Sequence, residues 1–251
     1  MPYGLYIAAE GAHAQSMRLE AIANNLANVD TVGFKPEQML FQARFAEAIQ
    51  RGSVVPGMGA IEDVGGGVLV RETKTDFSPG PLKHTRIPTD VAVDGEGFFV
   101  VLKDGEEHLT RAGNFRLTDD GALLTQQGYP VLSDLGAPLV IDPLAGPWTI
   151  TASGTVRQGE VAQDLALVRP HSPNDLVKAG ENLFRALLAP EALPAEERRV
   201  AAGYLEMSAV QPTTELVELI EASRAVEANV NVMRTHDQML SGLLTRVLRT
   251  R

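Results

Sequence analysis

The chain has 251 residues, no cysteine and a formal net charge of −10. This charge argues against a nucleic-acid surface and against attraction to an anionic membrane. The lack of cysteine excludes disulfides and thiolate metal sites, and no apolar run reaches the 18 residues of a membrane span. We therefore expect no nucleic-acid partner and no membrane insertion. The first residues lack a basic segment followed by an apolar core, so no cleavable secretory signal is predicted.

Residues 1–35 are predicted to form an N-terminal assembly helix. Small or apolar residues recur every three or four positions, with one polar member, at Leu5, Ala8, Ala12, Gln15, Leu19, Ile22, Leu26 and Val29. This is a heptad stripe, the pattern of a helix that faces another helix. Because these residues are smaller than those of the heptad stripe near the C-terminus, a partner helix can approach closely. Asn28, Asp30 and Gly33 then favour a turn.

Residues 36–67 are assigned to a short helix and a glycine-rich linker. The apolar residues within 35–50 suit a short helix, whereas the glycines up to Gly67 and Pro56 mark a flexible connector. The connector lacks the GxxxxGK[ST] order of a phosphate-binding loop, so we interpret it as a hinge.

Residues 68–200 are predicted to form a central β domain. From Val68 the apolar period changes from 3.5 to 2, and short apolar segments follow at intervals. Turn signals such as Asp104–Gly105 and Asp119–Asp120–Gly121 separate them. We expect an all-β, antiparallel domain that is barrel- or sandwich-like.

Residues 201–251 are assigned to a C-terminal assembly helix, helical from about residue 213 to 248. Its heptad stripe consists of Leu216, Leu219, Ser223, Val226, Val230, Met233, Asp237, Leu240, Leu244 and Val247. Such a helix is roughly 50 Å long, longer than a compact domain usually needs. The fold class is therefore α+β, with two long terminal heptad helices forming a coiled-coil layer. A pair of core helices within one domain is the alternative.

Charge is unevenly distributed along the C-terminal helix. Its first part carries Glu215, Glu218, Glu221 and Glu227, and its last part carries Arg234, Arg246, Arg249 and Arg251. Favourable interaction with the helix macrodipole explains the charges in the terminal turns. It does not explain Glu227 and Arg234, because the effect is weak so far inside the helix. We therefore predict that the acidic half of one helix lies beside the basic half of another in stacked subunits.

No constellation of catalytic, cofactor-binding or metal-ligating residues is present in the sequence. The five histidines lack HxxxH or HExxH spacing, and there is no GxSxG elbow. Gly95–Glu96–Gly97 precedes a predicted strand rather than a helix, so it is not a dinucleotide fingerprint. We predict that the chain is not an enzyme and needs no cofactor or metal.

Three motifs in this sequence resemble those of the bacterial flagellar axial proteins, the family of rod, hook and hook-associated subunits. The first is ANNLAN at 23–28 with GFK at 33–35. The second combines DVAV at 90–93, GFFVV at 97–101 and TRAGNF at 110–115. The third combines GYLE at 203–206, ELV at 215–217 and DQML at 237–240. They follow the family's order and span most of the chain.

The resemblance implies a structural subunit of the flagellar basal-body rod, a hollow drive shaft that transmits torque to the hook. It implies export through the flagellar type III apparatus without signal cleavage. It also implies self-association, and association with other axial proteins (rod and hook subunits), in a periplasm-spanning rod. The terminal helices would line the inner tube, with the β domain outside. Residues 5–8 resemble the distal rod protein, whereas residues 210–212 and 221–224 resemble the proximal one, which we favour.

The predicted site is an assembly interface on the two helices and the turn after the first. Its members are Leu5, Leu19, Ile22, Asn24, Asn25, Leu26, Asn28, Phe34, Leu216, Leu219, Val226, Val230, Met233, Leu240 and Leu244. The asparagines are expected to form amide hydrogen bonds within the assembled helix layer.

Two alternatives to a rod subunit remain at this point. One is an oligomeric β-domain binding adaptor whose helices form a closed bundle, and the other is a hook-type axial subunit. Sedimentation distinguishes the adaptor, because a closed trimer has a fixed mass whereas a rod subunit is monomeric or open-ended.

Overall fold

The structure is a computed structural model that describes residues 3–43, 49, 52 and 65–249. Helix α1 spans Tyr3–Ala27 and helix α2 spans Pro212–Arg249. The strands, in chain order, are β1 Glu37–Ala43, β2 Val68–Thr75, β3 Leu82–His84, β4 Val91–Val93, β5 Phe98–Lys103, β6 Glu106–Thr110, β7 Arg116–Leu117, β8 Leu123–Leu124, β9 Trp148–Ile150, β10 Thr155–Gln158, β11 Val161–Asp164, β12 Leu167–Arg169, β13 Leu176–Gly180, β14 Leu183–Ala186, β15 Glu191–Ala192, β16 Val200–Ala202 and β17 Tyr204–Glu206.

The predicted α+β class, with a helix near each end and a β-rich middle, is confirmed. The described strands form open sheets and no closed barrel. In the described part of the chain, no helix combines the length and apolarity that a membrane span requires.

The chain divides into two compact units. The helical unit comprises Met1–Ala27, Glu37–Asp76 and Gln211–Arg251. The β unit comprises Asn28–Pro36 and Phe77–Val210. The units therefore do not follow the boundaries predicted from the sequence.

The differences lie where the chain passes between the units. Residues 28–36, predicted as the end of the first helix, belong to the β unit, as do residues 201–210. Residues 68–76, predicted as the start of the β domain, belong to the helical unit.

The helical unit also contains an antiparallel pair of strands, β1 and β2. The short helix predicted over residues 35–50 is wrong over Glu37–Ala43, which forms β1. A short apolar run such as Met39–Leu40–Phe41 fits either structure, and pairing with β2 decides between them. Lys35 and Pro36 are not helical either, and residues 44–50 of that predicted helix, apart from Ile49, lie outside the described residues. So does the predicted linker, apart from Gly52 and residues 65–67.

The largest sheet of the β unit has six antiparallel strands in the order β13-β14-β6-β5-β12-β15. Its centre is the hairpin of β5 and β6, in which Lys103 pairs with Glu106. Asp104 and Gly105 join the strands with φ of 53° and 84°. Positive φ at both positions is what a two-residue hairpin turn requires, so the hairpin predicted at this dipeptide is confirmed.

Strand β5 is buried on both faces, which explains its unbroken apolar sequence. Successive side chains point to opposite faces of a strand. Phe99 and Val101 belong to one buried cluster, which also contains Val91, Phe115, Leu123, Val131, Leu139, Ile141 and Leu165. Phe98 and Val100 belong to another, which also contains Leu109, Leu132, Leu176 and Phe184.

Three charged side chains are buried together in the β unit, and we call them the buried triad. Lys35 Nζ lies 2.6 Å from Glu206 Oε1, and Arg111 Nη1 lies 3.2 Å from Glu206 Oε2. The Lys35 and Glu206 side chains are each 1% exposed and that of Arg111 is 6% exposed. Charges this deeply buried are tolerated only when they are paired and hydrogen-bonded.

Backbone groups complete the coordination of the buried triad. Lys35 Nζ also donates to the carbonyl of Ser78 (2.7 Å), and the Gly80 amide donates to Glu206 Oε1 (2.9 Å). Arg111 Nη2 donates to the carbonyl of Gly95 (2.7 Å). Burial lowers the pKa of Arg111, and the neighbouring Glu206 carboxylate opposes this effect.

The triad lies among the segments at which the chain enters and leaves the β unit. The Gly33 amide donates to the Glu206 carbonyl (2.7 Å), and the Ala209 amide donates to the Phe34 carbonyl (3.2 Å). Gly33 has φ +67°, and a Cβ there would lie 2.5 Å from the backbone of Arg111. This close approach explains why a glycine precedes Phe34.

Replacing Glu206 with Gln removes the negative charge of the triad while keeping its shape. Two buried cations then lack a counter-charge, so we expect the free energy of unfolding of the β unit to fall by about 3–5 kcal/mol. Chemical denaturation followed by the fluorescence of Trp148, the single tryptophan, measures this change because Trp148 packs against the β-unit core.

Glu181→Gln is the matched control. The Glu181 carboxylate also contacts two partners, Lys103 and Tyr129, but it is exposed. Exposed ion pairs contribute little to stability, so we expect a much smaller change. Equal losses in the two variants would contradict the role assigned to Glu206.

Candidate assembly surface

Helices α1 and α2 of the helical unit pack against each other and run antiparallel. The contacts between them recur every seven residues along α1. From one end of the contact to the other they join Gly4 to His236, Gly11 to Asn229, Arg18 to Glu218, and Asn25 to Glu215. A seven-residue interval keeps one line of α1 facing its partner.

Glycine allows this close approach at two levels of the contact. A Cβ on Gly4 would lie 3.1 Å from His236 Nε2, and a Cβ on Gly11 would lie 3.2 Å from Asn229 Oδ1. The Asn229 amide Nδ2 donates to the Ala225 carbonyl of its own helix (2.9 Å), so a polar side chain is satisfied inside the contact. The predicted close approach along α1 therefore depends on glycine as well as alanine.

The face of α2 towards α1, here called the seam, is buried or half-buried along its length. It consists of Glu215, Leu219, Ala222, Val226, Asn229, Met233 and His236. The predicted stripe shares three of these residues but has Leu216, Ser223, Val230 and Asp237 at the other four levels. The prediction selected Val230 because it is apolar. In the structure, the glycines of α1 leave room for Asn229 and His236 instead.

Asn25 is buried and links three elements of the helical unit. Its Nδ2 donates to the Glu37 carbonyl (3.0 Å), and its Oδ1 accepts from the Glu37 amide (2.9 Å). Nδ2 also lies 3.4 Å from Glu215 Oε1. One amide therefore joins the end of α1, the start of β1 and the first turn of α2. All of these hydrogen bonds of Asn25 are made within one chain.

Glu215 and Glu218 are both engaged by α1. Burial raises the pKa of Glu215, while the hydrogen bond from Asn25 opposes that shift and Glu218 adds to it. Glu218 Oε2 lies 3.0 Å from Arg18 Nη2. These two acids of the predicted charge gradient therefore have partners in their own chain.

The structure brings most predicted interface residues together in the helical unit. Those that are buried are Ile22, Asn25 and Phe34. Those that are half-buried are Leu5, Leu19, Leu26, Asn28, Leu219, Val226, Val230 and Met233. Those that are exposed are Asn24, Leu216, Leu240 and Leu244.

Phe34 and Asn28 belong instead to the β unit. Lys178 Nζ lies 4.7 Å from the centre of the Phe34 ring, and Asn28 Oδ1 accepts from the Thr31 hydroxyl (3.1 Å) in the turn after α1. Phe34 therefore contributes to the packing of the β unit.

Helix α2 exposes two groups of large apolar side chains. The proximal patch, 47 to 56% exposed, consists of Leu216, Val217 and Ile220. The distal patch, 39 to 62% exposed, consists of Met239, Leu240, Leu243 and Leu244. The distal patch lies beyond the level at which Gly4 meets His236. The predicted stripe followed a single line along the helix, so it missed four of these seven residues.

Models of three protein domains match the chain. They are the flagella basal body rod protein at residues 5–35, the flagellar hook protein FlgE/F/G D1 domain at 92–158, and the flagellar basal body rod FlgEFG protein C-terminal domain at 201–246. Each matched stretch contains one member of the buried triad.

Whole-chain relatives decide the family. The chain is 35% identical to the flagellar basal-body rod protein FlgF of Caulobacter vibrioides, over 93% of each chain. The chain belongs to the flagellar basal-body rod protein family. The rod protein FlgG of the same organism is 34% identical over 94% of this chain and 96% of its own length. FlgG of Borreliella burgdorferi is 33% identical over 96% of the chain described here and 97% of its own length.

Replacing Gly11 with Leu tests the packing of the two helices in this rod protein. A leucine side chain would occupy the space of Asn229, so we expect the helix pair to loosen and to melt at a lower temperature. Circular dichroism of the purified chain during heating measures the change.

Gly242→Leu is the matched control on α2. A Cβ at Gly242 meets nothing within 4 Å, and leucine favours a helix over glycine by about 1 kcal/mol. This variant should melt at or above the wild-type temperature. If Gly11→Leu does the same, the close approach of the helices at Gly11 is wrong.

Proposed function

We propose that this protein is a structural subunit of the bacterial flagellar basal-body rod and that it polymerises through α1 and α2. The observation that carries the proposal is the exposed apolar surface of α2. Its seam is filled by α1 of the same chain, yet the proximal and distal patches leave large apolar side chains in contact with solvent. An exposed apolar patch on an otherwise well-packed protein is the mark of an interaction surface.

In this proposal the helices of many subunits form a coiled-coil layer around a channel, and the β units lie outside it. Burying the same apolar patches in every subunit stabilises the tube by a repeated contribution. The tube acts as a hollow drive shaft that transmits torque to the hook. Such a subunit needs interfaces rather than an active site, and we propose that it is not an enzyme.

Torque transmission requires subunits that keep their shape under load. The β unit suits this role because its central strand is buried on both faces and its entry and exit segments meet at the buried triad. A close-packed interior transmits strain instead of absorbing it.

The partners follow from the same role. We propose that the protein contacts other axial proteins of the rod and hook, and that the flagellar type III apparatus exports it to a periplasm-spanning position. The chain contains no cysteine, which suits passage between compartments of different redox state. The motifs at 210–212 and 221–224 support a position of the proximal-rod type.

Aspartate substitutions at Leu219 and Leu240 separate folding from assembly. Leu219 lies on the seam, so Leu219→Asp places a carboxylate between packed helices and should lower the melting temperature of the purified chain. Leu240 lies beyond the contacts with α1, so Leu240→Asp should melt like the wild type. Both variants should be absent from isolated basal bodies, which immunoblotting measures.

Gln238→Asp is the control for added charge, because Gln238 is an exposed polar residue of the same helical turns. This variant should be incorporated normally. A strain with Leu240→Asp that swims normally and carries the variant in its basal bodies would contradict the proposed role of this helix.

A further inference from the structure

The two apolar patches of α2 cannot cover each other within one chain. Both lie on the same continuous helix, and Ile220 and Leu243 are about 35 Å apart along its axis. The distal patch can therefore be covered only by a surface other than the proximal patch of its own chain, or by another molecule.

The distal patch differs in chemistry from the seam that precedes it. Along the seam, Ala222, Asn229 and His236 face α1, which presents glycine at the last two of these levels. These residues alternate with Leu219, Val226 and Met233 along the seam, whereas the distal patch consists of large apolar side chains alone. Because the distal patch has no polar member, another exposed apolar surface is its best match.

Among the described residues of the helical unit, two exposed apolar surfaces are candidates for that contact. One is the proximal patch, and the other lies on the β1–β2 pair at Leu40, Phe41, Val68 and Leu69. The exposed side of α1 is mostly small or polar, since it presents Tyr6, Ala9, His13, Glu20, Ala23, Asn24 and Ala27.

Charge favours the proximal patch over the strand pair. Glu221, Arg224 and Glu227 are exposed just after the proximal patch and together carry a net negative charge. Arg246 is exposed beside the distal patch, and Arg249 and Arg251 follow it in the sequence. The exposed charges of β2 are Arg71, Glu72 and Lys74, with a net positive charge that does not complement an arginine-rich helix end. Complementary charges select partners and set the register of a contact.

We infer that the distal patch of one subunit docks on the proximal patch of a second copy of this chain. This inference rests on the proposed function and names the contact that builds the tube. It joins two different surfaces, so each added subunit leaves one patch of each kind available. A head-to-tail contact of this type produces an open-ended filament rather than a closed dimer. The charge pairing predicted from the sequence then involves Glu221 and Glu227, because α1 of the same chain engages Glu215 and Glu218.

Cysteine cross-linking tests the contact directly, because the chain has no cysteine of its own. A flagellated strain carries Ile220→Cys and Leu243→Cys in its only copy of the gene, and its isolated basal bodies are oxidised. We expect a ladder of cross-linked dimers, trimers and larger species in the double variant. We expect only monomers in either single variant, and only dimers when the two single variants are co-expressed.

A second pair serves as the matched control. Leu69→Cys with Leu243→Cys places one cysteine on the strand pair, and we expect no ladder from it. A ladder from this pair and none from Ile220→Cys with Leu243→Cys would overturn the inference in favour of the strand pair. Dimers from Leu243→Cys alone would overturn it in favour of a symmetric contact.

The outcomes also separate this inference from the proposed function. If the double variant is present in basal bodies but gives no ladder, the docking contact is wrong and the rod assignment stands. If the unaltered protein is absent from basal bodies, the proposed function is wrong. If only the cysteine variants fail to enter basal bodies, a pair of opposite charges tests the contact instead. Ile220→Lys is added to Leu243→Asp, and the contact predicts that it restores entry of the Leu243→Asp chain. Failure to restore entry overturns the contact.

Discussion

One buried carboxylate, that of Glu206, determines how the segments of the β unit meet. Its two oxygens accept hydrogen bonds from Lys35, Gly80 and Arg111. Burying an ionised carboxylate is costly unless several donors surround it, so an arrangement that loses one of these partners is strongly disfavoured. The donors come from segments far apart in the sequence, and two of those segments adjoin the points where the chain passes into the helical unit. A single charge therefore fixes the entry and exit geometry of the β unit.

The helical unit divides its surfaces by chemistry. Contacts within the chain use small and polar groups: glycine against Asn229 and His236, and the Asn25 amide against Glu37 and Glu215. Leu219, Val226 and Met233 of the seam add apolar packing, whereas the large apolar side chains of the proximal and distal patches remain exposed. The helix pair thus has internal contacts of its own and still keeps exposed apolar area. This division suits the assembly through neighbouring subunits that we propose.

The sequence predicted those features that depend on local pattern. Heptad spacing located both helices, and Asp104–Gly105 located the central hairpin, because each signal is contained in a few consecutive residues. Strand β1 was missed because its partner β2 is distant in sequence and its apolar run has no clear period. The seam was displaced because the space for Asn229 and His236 is created by glycines on the other helix. The buried triad was missed because Lys35, Arg111 and Glu206 each resemble surface charges when considered alone, although each lies within a family motif.

Hydrogen exchange in the Glu206→Gln variant tests most directly whether this carboxylate organises the β unit. The Gly80 amide binds the carboxylate itself, whereas the amides of Gly33 and Ala209 bind other backbone groups around it. If Glu206 holds these segments together, all three amides lose protection, while the Val131 amide, bonded to the Leu123 carbonyl in the core, keeps more of it. If only the Gly80 amide changes, the carboxylate is a local contact and the segments are held by other interactions, which would contradict this account.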